Sequence, residues 1–291
     1  LGILYSLWKK HKPNGEIITI PNGGLANARN VGISRASGQY ICNLDADDFL
    51  ELDIFEKIFN KYKDSDFDIC YYGFRDVDEV GRIKSEYQSL FKYRNNINGR
   101  TGLLYKLDRT IWICQGSAIY KRAIIIDNDI YNVPGINQGE DFYFICLMLS
   151  YANKINCIDD IGVNIVVSSN SMMHQKYNDT YKQSITAAKN LYEHIALNDR
   201  YKEDEHILNL IISHIMEQAC HVAKRMISSK KFDTDKLVHM INELKIEEFN
   251  QLKNIKKDID IKKWIQFTIF KLSTLLFIMI TRLVYLFTEE K

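Results

Sequence analysis

Gln39-Tyr-Ile-Cys-Asn-Leu-Asp-Ala-Asp-Asp-Phe49 passes from a mostly apolar run straight into aspartates at 45, 47 and 48. The apolar half, Gln39–Leu44, predicts a buried strand of an α/β sheet. In open parallel sheets ligands bind beyond the carboxyl ends of the strands, and that is where Asp45, Ala46 and Asp47 fall. Two carboxylates spaced D-x-D can hold a hard divalent cation there, Mg²⁺ or Mn²⁺, which would in turn grip a diphosphate. The competing reading is helix capping plus solvated loop charge. Asp48, with Glu51 three residues on, reads as a capping box opening a helix over Leu52–Tyr62, but capping does not require Asp45 and Asp47. Taken alone, D-x-D is a common and weak signal.

The flanks extend the pattern. Leu1–Lys12 resembles the tail of a helix, broken by Pro13-Asn-Gly15. Glu16–Ile20 reads as a short strand, Pro21–Gly24 as a turn and Leu25–Arg35 as a helix closed by Ser37-Gly38. Downstream, Phe67–Phe74 reads as a strand and Asp76–Arg82 as its hairpin turn. Alternation at this spacing predicts a parallel-type sheet covered on both faces. Trp112, in Thr110–Cys114, reads as a buried strand aromatic, with the lining of a cleft as the alternative. From Thr180 to Leu252 apolar residues recur at helical spacing with no strand among them, a helical annex. With 3 prolines in 291 residues, no proline-rich linker marks a boundary.

Composition narrows the function. Lys and Arg total 38 against 37 Asp and Glu, a net charge of +1, so no field favours nucleic acid along the whole chain. The 6 cysteines are scattered without a CxxC pair, which fits buried reduced thiols in a reducing cytoplasm.

Asn22–Gly32, Ser37–Ile41 and Leu44–Phe49 together resemble, in order and spacing, the signature of family 2 glycosyltransferases, inverting enzymes of the GT-A fold. Gly116–Arg122 and Gly139–Phe142 look like that family's acceptor-side segments, so the resemblance covers roughly residues 1 to 175. It implies a nucleoside-diphosphate sugar donor, a hydroxyl of a glycan or lipid-linked acceptor, and a role in cell-surface polysaccharide synthesis. Asp45 should face the ribose or diphosphate and Asp47 should ligate the metal, while Arg29 and Asn30, one turn into their helix, should contact the nucleotide. The bland reading of Arg29 is a salt bridge. By the same resemblance Asp141 is the catalytic base and His174, within Ser168–His174, is a candidate to complete the metal shell. From the residues alone, Glu140-Asp141 could be mere helix caps and His174 a surface histidine.

The expected organisation is a GT-A core over residues 1–165, a helical region over 166–255 and a basic amphipathic helix over 256–291. Leu272–Thr281 is free of charge but only about half the roughly 20 residues needed to span a bilayer. Lys271 and Arg282 fall on one helical face, with Lys256, Lys257, Lys262 and Lys263 upstream. This predicts peripheral attachment to the inner face of the plasma membrane, with packing on the enzyme's own core or a homodimer as alternatives. His206, His214 and His221 read as structural. Family members begin with a strand and turn ahead of the helix that Leu1–Lys12 resembles, so the non-Met start suggests an N-terminally incomplete core. Two rivals stand beside a transferase: a nucleotidyltransferase, whose Gly-rich phosphate loop is missing here, and an inactive glycosyltransferase-like binding or scaffold protein or truncated fragment.

Overall fold

The computed structural model describes residues 15–87, 94–168 and 177–289; the helix tail read at Leu1–Lys12 and His174 lie outside them. Helix α1, Gly24–Arg35, begins at a backbone position only glycine adopts easily: Gly24 has φ +80°. A Cβ on Gly24 would sit 2.5 Å from Asn137 Oδ1, the oxygen that accepts Leu25 N at 3.0 Å. A distant asparagine thus satisfies one of the free N–H groups at the helix start.

After α1 come β1 (Tyr40–Ile41), β2 (Phe49–Leu50), α2 (Ile54–Lys61), β3 (Ile69–Val77), β4 (Ile83–Glu86) and α3 (Gly99–Leu107). Then follow β5 (Ala118–Lys121), α4 (Arg122–Asp127), α5 (Glu140–Tyr151) and β6 (Ile155–Val166). The sheet runs β1-β5-β3-β6-β2, with β4 also on β3. It is mixed: β3 and β6 run parallel, while β1/β5, β3/β5, β3/β4 and β2/β6 are antiparallel. Strand β3 is buried on both faces, as its apolar run requires. Ile69 and Tyr71 point into one cluster with Leu103 and Phe144, and Cys70, Tyr72 and Phe74 into another with Ile54 and Ile58 of α2.

Four local expectations change. Glu16–Ile20 forms no strand, since it has no ladder partner among the described residues to take its N–H and C=O groups. The strand read over Gln39–Leu44 shortens to Tyr40–Ile41, where β5 pairs with it. Asp48 and Glu51 are not a capping box: Asp48 Oδ1 accepts Val166 N at 2.9 Å, Glu51 Oε1 accepts from Arg75, and Phe49–Leu50 between them pairs with β6. Thr110–Cys114 is a loop because its backbone bonds locally, Ile111 N to Tyr105 O and Cys114 N to Ser117 Oγ, while Lys106 Nζ donates to Ile113 O at 2.7 Å. Trp112 is accordingly 43% exposed.

Beyond β6 the annex is helical: α6 (Gln183–Leu197), α7 (Glu205–Ser228), α8 (Thr234–Glu243), a 3₁₀ run over Glu247–Lys257, α9 (Ile261–Leu272) and α10 (Thr274–Glu289). Asp204, Asp233 and Asp260 cap α7, α8 and α9 by accepting from Ile207 N, Lys236 N and Lys263 N. The sheet's main cluster takes in Leu191, Ile195, Ile207 and Ile211, so packing runs continuously from sheet to annex. A second cluster joins Ile215, Met216 and Met226 to Phe267, Phe270, Phe277 and Ile278 of α9 and α10. Phe267 and Phe270 are fully buried, each stabilising by about 1.5–3 kcal/mol. The tail is therefore two helices broken at Ser273, packed by one side on the annex. Lys271, partly buried, donates to Phe249 O at 3.0 Å, and Arg282, though exposed, donates to Thr234 Oγ1 at 3.3 Å, so both tie the tail to the annex.

Candidate active site

Arg29, on the second turn of α1, organises the site. Its Nη2 donates to both oxygens of Asp45, at 2.8 and 3.1 Å, and its Nη1 donates to Glu140 Oε1 at 3.1 Å. The D-x-D loop and the first turn of α5 are thus clasped by one guanidinium. Its side chain is 10% exposed and that of Glu140 8%, against 43% for Asp45, so the inner arm of the clasp is the desolvated one. Burial raises the Glu140 pKa, reinforced by Asp141 and opposed by Arg29. Structurally Arg29 makes the salt bridges of its bland reading, and its Nε is buried without a partner.

A cavity of about 500 Å³ opens between α1 and the chain leaving β1, lined by Arg29, Ile33, Ile41, Asn43 and Asp45 among others. It ends at the D-x-D loop. There Asp48 N bonds Asp45 O at 3.1 Å, closing a turn, and the Asp48 carboxylate anchors that turn to the end of β6. Burial, with smaller contributions from Asp47 and Asp45, pushes the Asp48 pKa up to about 6 against the opposing Val166 hydrogen bond.

The donor set can be tested against a hard cation. No group of three or more His, Cys, Asp or Glu that could hold a metal occurs among the described residues. Mg²⁺, however, is usually held by one or two carboxylates plus substrate phosphates and water. Asp47 is exposed at the loop tip and makes no side-chain hydrogen bond or ion pair among the described residues. A free carboxylate beside a cavity, next to one oriented by arginine, fits that mode.

The remaining candidates divide. Asn30 points away from the cavity: its Nδ2 donates to Asn132 O and its Oδ1 accepts Asn132 N, both at 2.8 Å, so it ties α1 to the loop before α5. Asp141, at the start of α5, accepts Phe142 N at 2.6 Å and lines a second cavity of about 280 Å³ with Lys106, Trp112, Cys114, Phe142 and His214. Trp112 is thus a cleft residue. His214 comes from annex helix α7 and stacks on Phe142 at 3.8 Å between ring centroids, burial lowering its pKa towards the neutral form.

One site residue, Asn43, escaped the sequence reading. Asn43 Nδ2, both amide atoms of Gln115 and the Tyr120 hydroxyl are buried without hydrogen-bond partners. Buried polar groups are ordinarily satisfied, and Asn43 lines the cavity beside Asp45, where a ligand could complete it, whereas Gln115 and Tyr120 line neither cavity. Their sequence signal was slight: Asn43 sits in an apolar run and Gln115 just ahead of Gly116-Ser117.

The model of the glycosyl transferase family 2 matches residues 4–129. The chain is 24% identical over 139 residues to poly(ribitol-phosphate) β-N-acetylglucosaminyltransferase TarS of Staphylococcus aureus, covering 48% of this chain and 23% of that protein. It is 38% identical over 74 residues to the chondroitin synthase of Pasteurella multocida, covering 25% of this chain and 8% of the relative. The matches thus span less than a quarter of these relatives' lengths. Among solved structures, S. aureus TarS 1–349 in complex with UDP-GlcNAc superposes with a TM-score of 0.71 at 16% identity, covering 97% of this chain and 78% of that one. The same protein with UDP gives a TM-score of 0.62 at 17% identity, covering 95% and 76%. The shared architecture is the GT-A fold.

Proposed function

We propose, on the premise that this chain carries a glycosyl transferase family 2 domain in a GT-A fold, that it transfers one sugar from a nucleoside-diphosphate sugar to a hydroxyl of a polysaccharide or lipid-linked glycan, with inversion. The clasp at Arg29 supports this reading most, because it fixes the D-x-D loop and the base-bearing turn of α5 on one guanidinium. The donor lies in the cavity beside Asp45, and the co-crystallised UDP-GlcNAc of the structural neighbour makes that the first donor to test. Asp47, with Asp45 beside it, would hold Mg²⁺ or Mn²⁺, which supplies charge neutralisation on a departing diphosphate.

The acceptor lies in the cavity at Asp141, against Trp112. Its hydroxyl oxygen attacks the anomeric carbon as the bond to the diphosphate oxygen breaks, and the electron pair leaves with the diphosphate. The hydroxyl proton passes to Asp141. One displacement inverts the anomeric centre. Asn30 acts by holding α1 in place. Residues 1–165 would carry the chemistry and 166–255 would buttress the acceptor side through His214, in a protein of the cytoplasmic compartment.

The test is calorimetric binding of UDP-sugars with and without Mn²⁺, paired with nucleoside diphosphate release. Asp47→Asn should abolish the metal-dependent part of donor binding. Unchanged affinity in that variant would remove the metal from the reading, and donor binding without turnover on any glycan would favour an inactive binding protein.

A further inference from the structure

The two tail helices have an outer side that no described residue covers. Along α10, Leu275, Leu276, Met279 and Leu283 are 44–61% exposed and recur at the spacing of one helical face, with Leu272 75% exposed at the end of α9. Monomeric proteins rarely leave so continuous an apolar stripe open without a partner. Beside the stripe, a groove of about 470 Å³ opens between α9 and α10, walled by Ile269, Phe277, Ile280 and Val284. Lys224 of α7 and Lys262 also line it, so the apolar groove carries ammonium groups.

Charge identifies the occupant. Between the capping Asp260 and the terminal Glu289, the two helices carry Lys262, Lys263, Lys271 and Arg282 and no carboxylate. Lys263 is paired with Glu217 at 2.7 Å, and Lys271 and Arg282 hold the helices on the annex. Lys262 remains exposed at the groove, and Lys224 donates to Gln266 Oε1 at 3.1 Å. A second copy docked by the same face would set cations against cations. No helix is long and apolar enough to cross a membrane among the described residues, so the stripe would lie along a surface and not through it.

We propose that this face docks on an anionic phospholipid bilayer: the α10 stripe enters the boundary between headgroups and acyl chains, and the groove takes one acyl chain with its phosphate at Lys224 and Lys262. This stands independently of the transferase chemistry, and its test reads binding alone. The full chain is sedimented with vesicles of phosphatidylcholine, or of phosphatidylcholine with an equal share of phosphatidylglycerol, at low and high salt. Binding should require phosphatidylglycerol and weaken with salt. Lys262→Gln should weaken it about fivefold, the worth of one lysine near an anionic surface. Leu276→Asp combined with Met279→Asp should abolish it while melting like the parent, since both side chains are exposed. Parent-like sedimentation of the double variant overturns the proposal, as does a parent that ignores both vesicles. If sedimentation velocity instead shows a parent dimer that the double variant loses, the face serves a second copy and the lipid reading fails.

Discussion

Replacing Arg29 by Met removes both arms of the clasp while keeping most of the side chain's apolar bulk. The arm to Asp45 is nearly half exposed, and its loss should cost at most about 1 kcal/mol. The arm to Glu140 is different, because both side chains are about nine-tenths buried and the carboxylate left behind has no compensating charge. Breaking a buried pair from one side costs about 3–5 kcal/mol, so the variant should lose about 4 kcal/mol of stability at neutral pH. That is a large share of the roughly 5–15 kcal/mol typical of a domain.

The pH dependence carries the sign. Glu140 already has a raised pKa, and without Arg29 it should rise further. A carboxylate with a raised folded pKa contributes stability that is lost as pH rises through that value, so the penalty should be larger at pH 8 than at pH 5. Urea denaturation of the parent, Arg29→Met, Glu140→Gln and the double variant measures this as a cycle. The double variant should recover about 2 kcal/mol relative to Arg29→Met. If Arg29→Met loses under about 1 kcal/mol, or if Glu140→Gln restores nothing, the clasp does not hold the two loops and the argument from it collapses.

Asp141→Asn should bind donor near normally yet transfer sugar about 10²–10⁴ more slowly; an unchanged rate would send the base elsewhere. Asp48, with its pKa near 6, favours the native state when protonated, so parent stability should decline as pH rises from about 4 to 6. Discounted for solvent screening of a partly exposed carboxylate, the effect is about 1 kcal/mol, and Asp48→Asn should flatten that slope in thermal melts taken across the range. Trp112→Ala should raise the acceptor KM severalfold without altering donor affinity in calorimetry, since the side chain lines the cavity of Asp141 and not that of Asp45.

What could be read ahead of the structure was whatever one segment decides alone. Helix α1 and strand β3 announce themselves by period and apolar run, and the D-x-D position follows from where the apolar run ends. Pairings with distant partners were hidden. Phe49–Leu50 looks like a helix entry until β6, more than a hundred residues on, supplies its ladder. Glu16–Ile20 has strand composition but gains no partner, and Thr110–Cys114 is bent by the Lys106 ammonium and a serine hydroxyl. Arg29 and Asp45 were expected in one site, but no spacing could show that Glu140 would share that guanidinium. Nor could it show that His214, from an annex read as purely structural, would stack against the residue after Asp141.

The loop that delivers Asp141 is held from two sides of the chain. Asn137 accepts from α1 and its N–H is bonded by Gln183 at the start of α6, whose Nε2 also donates to Gly135 O at 3.0 Å. At Gly139, φ +82°, a Cβ would come within 3.2 Å of Ala187 and 3.3 Å of Ser184. For evolution this makes the annex a poor candidate for exchange: a foreign helix at α6 must reproduce a glutamine, a small serine and an alanine before Asp141 reaches its place. Chimeras meant to alter acceptor choice should therefore move residues 133–197 as one piece, and those cut at the end of β6 should lose turnover while still binding donor.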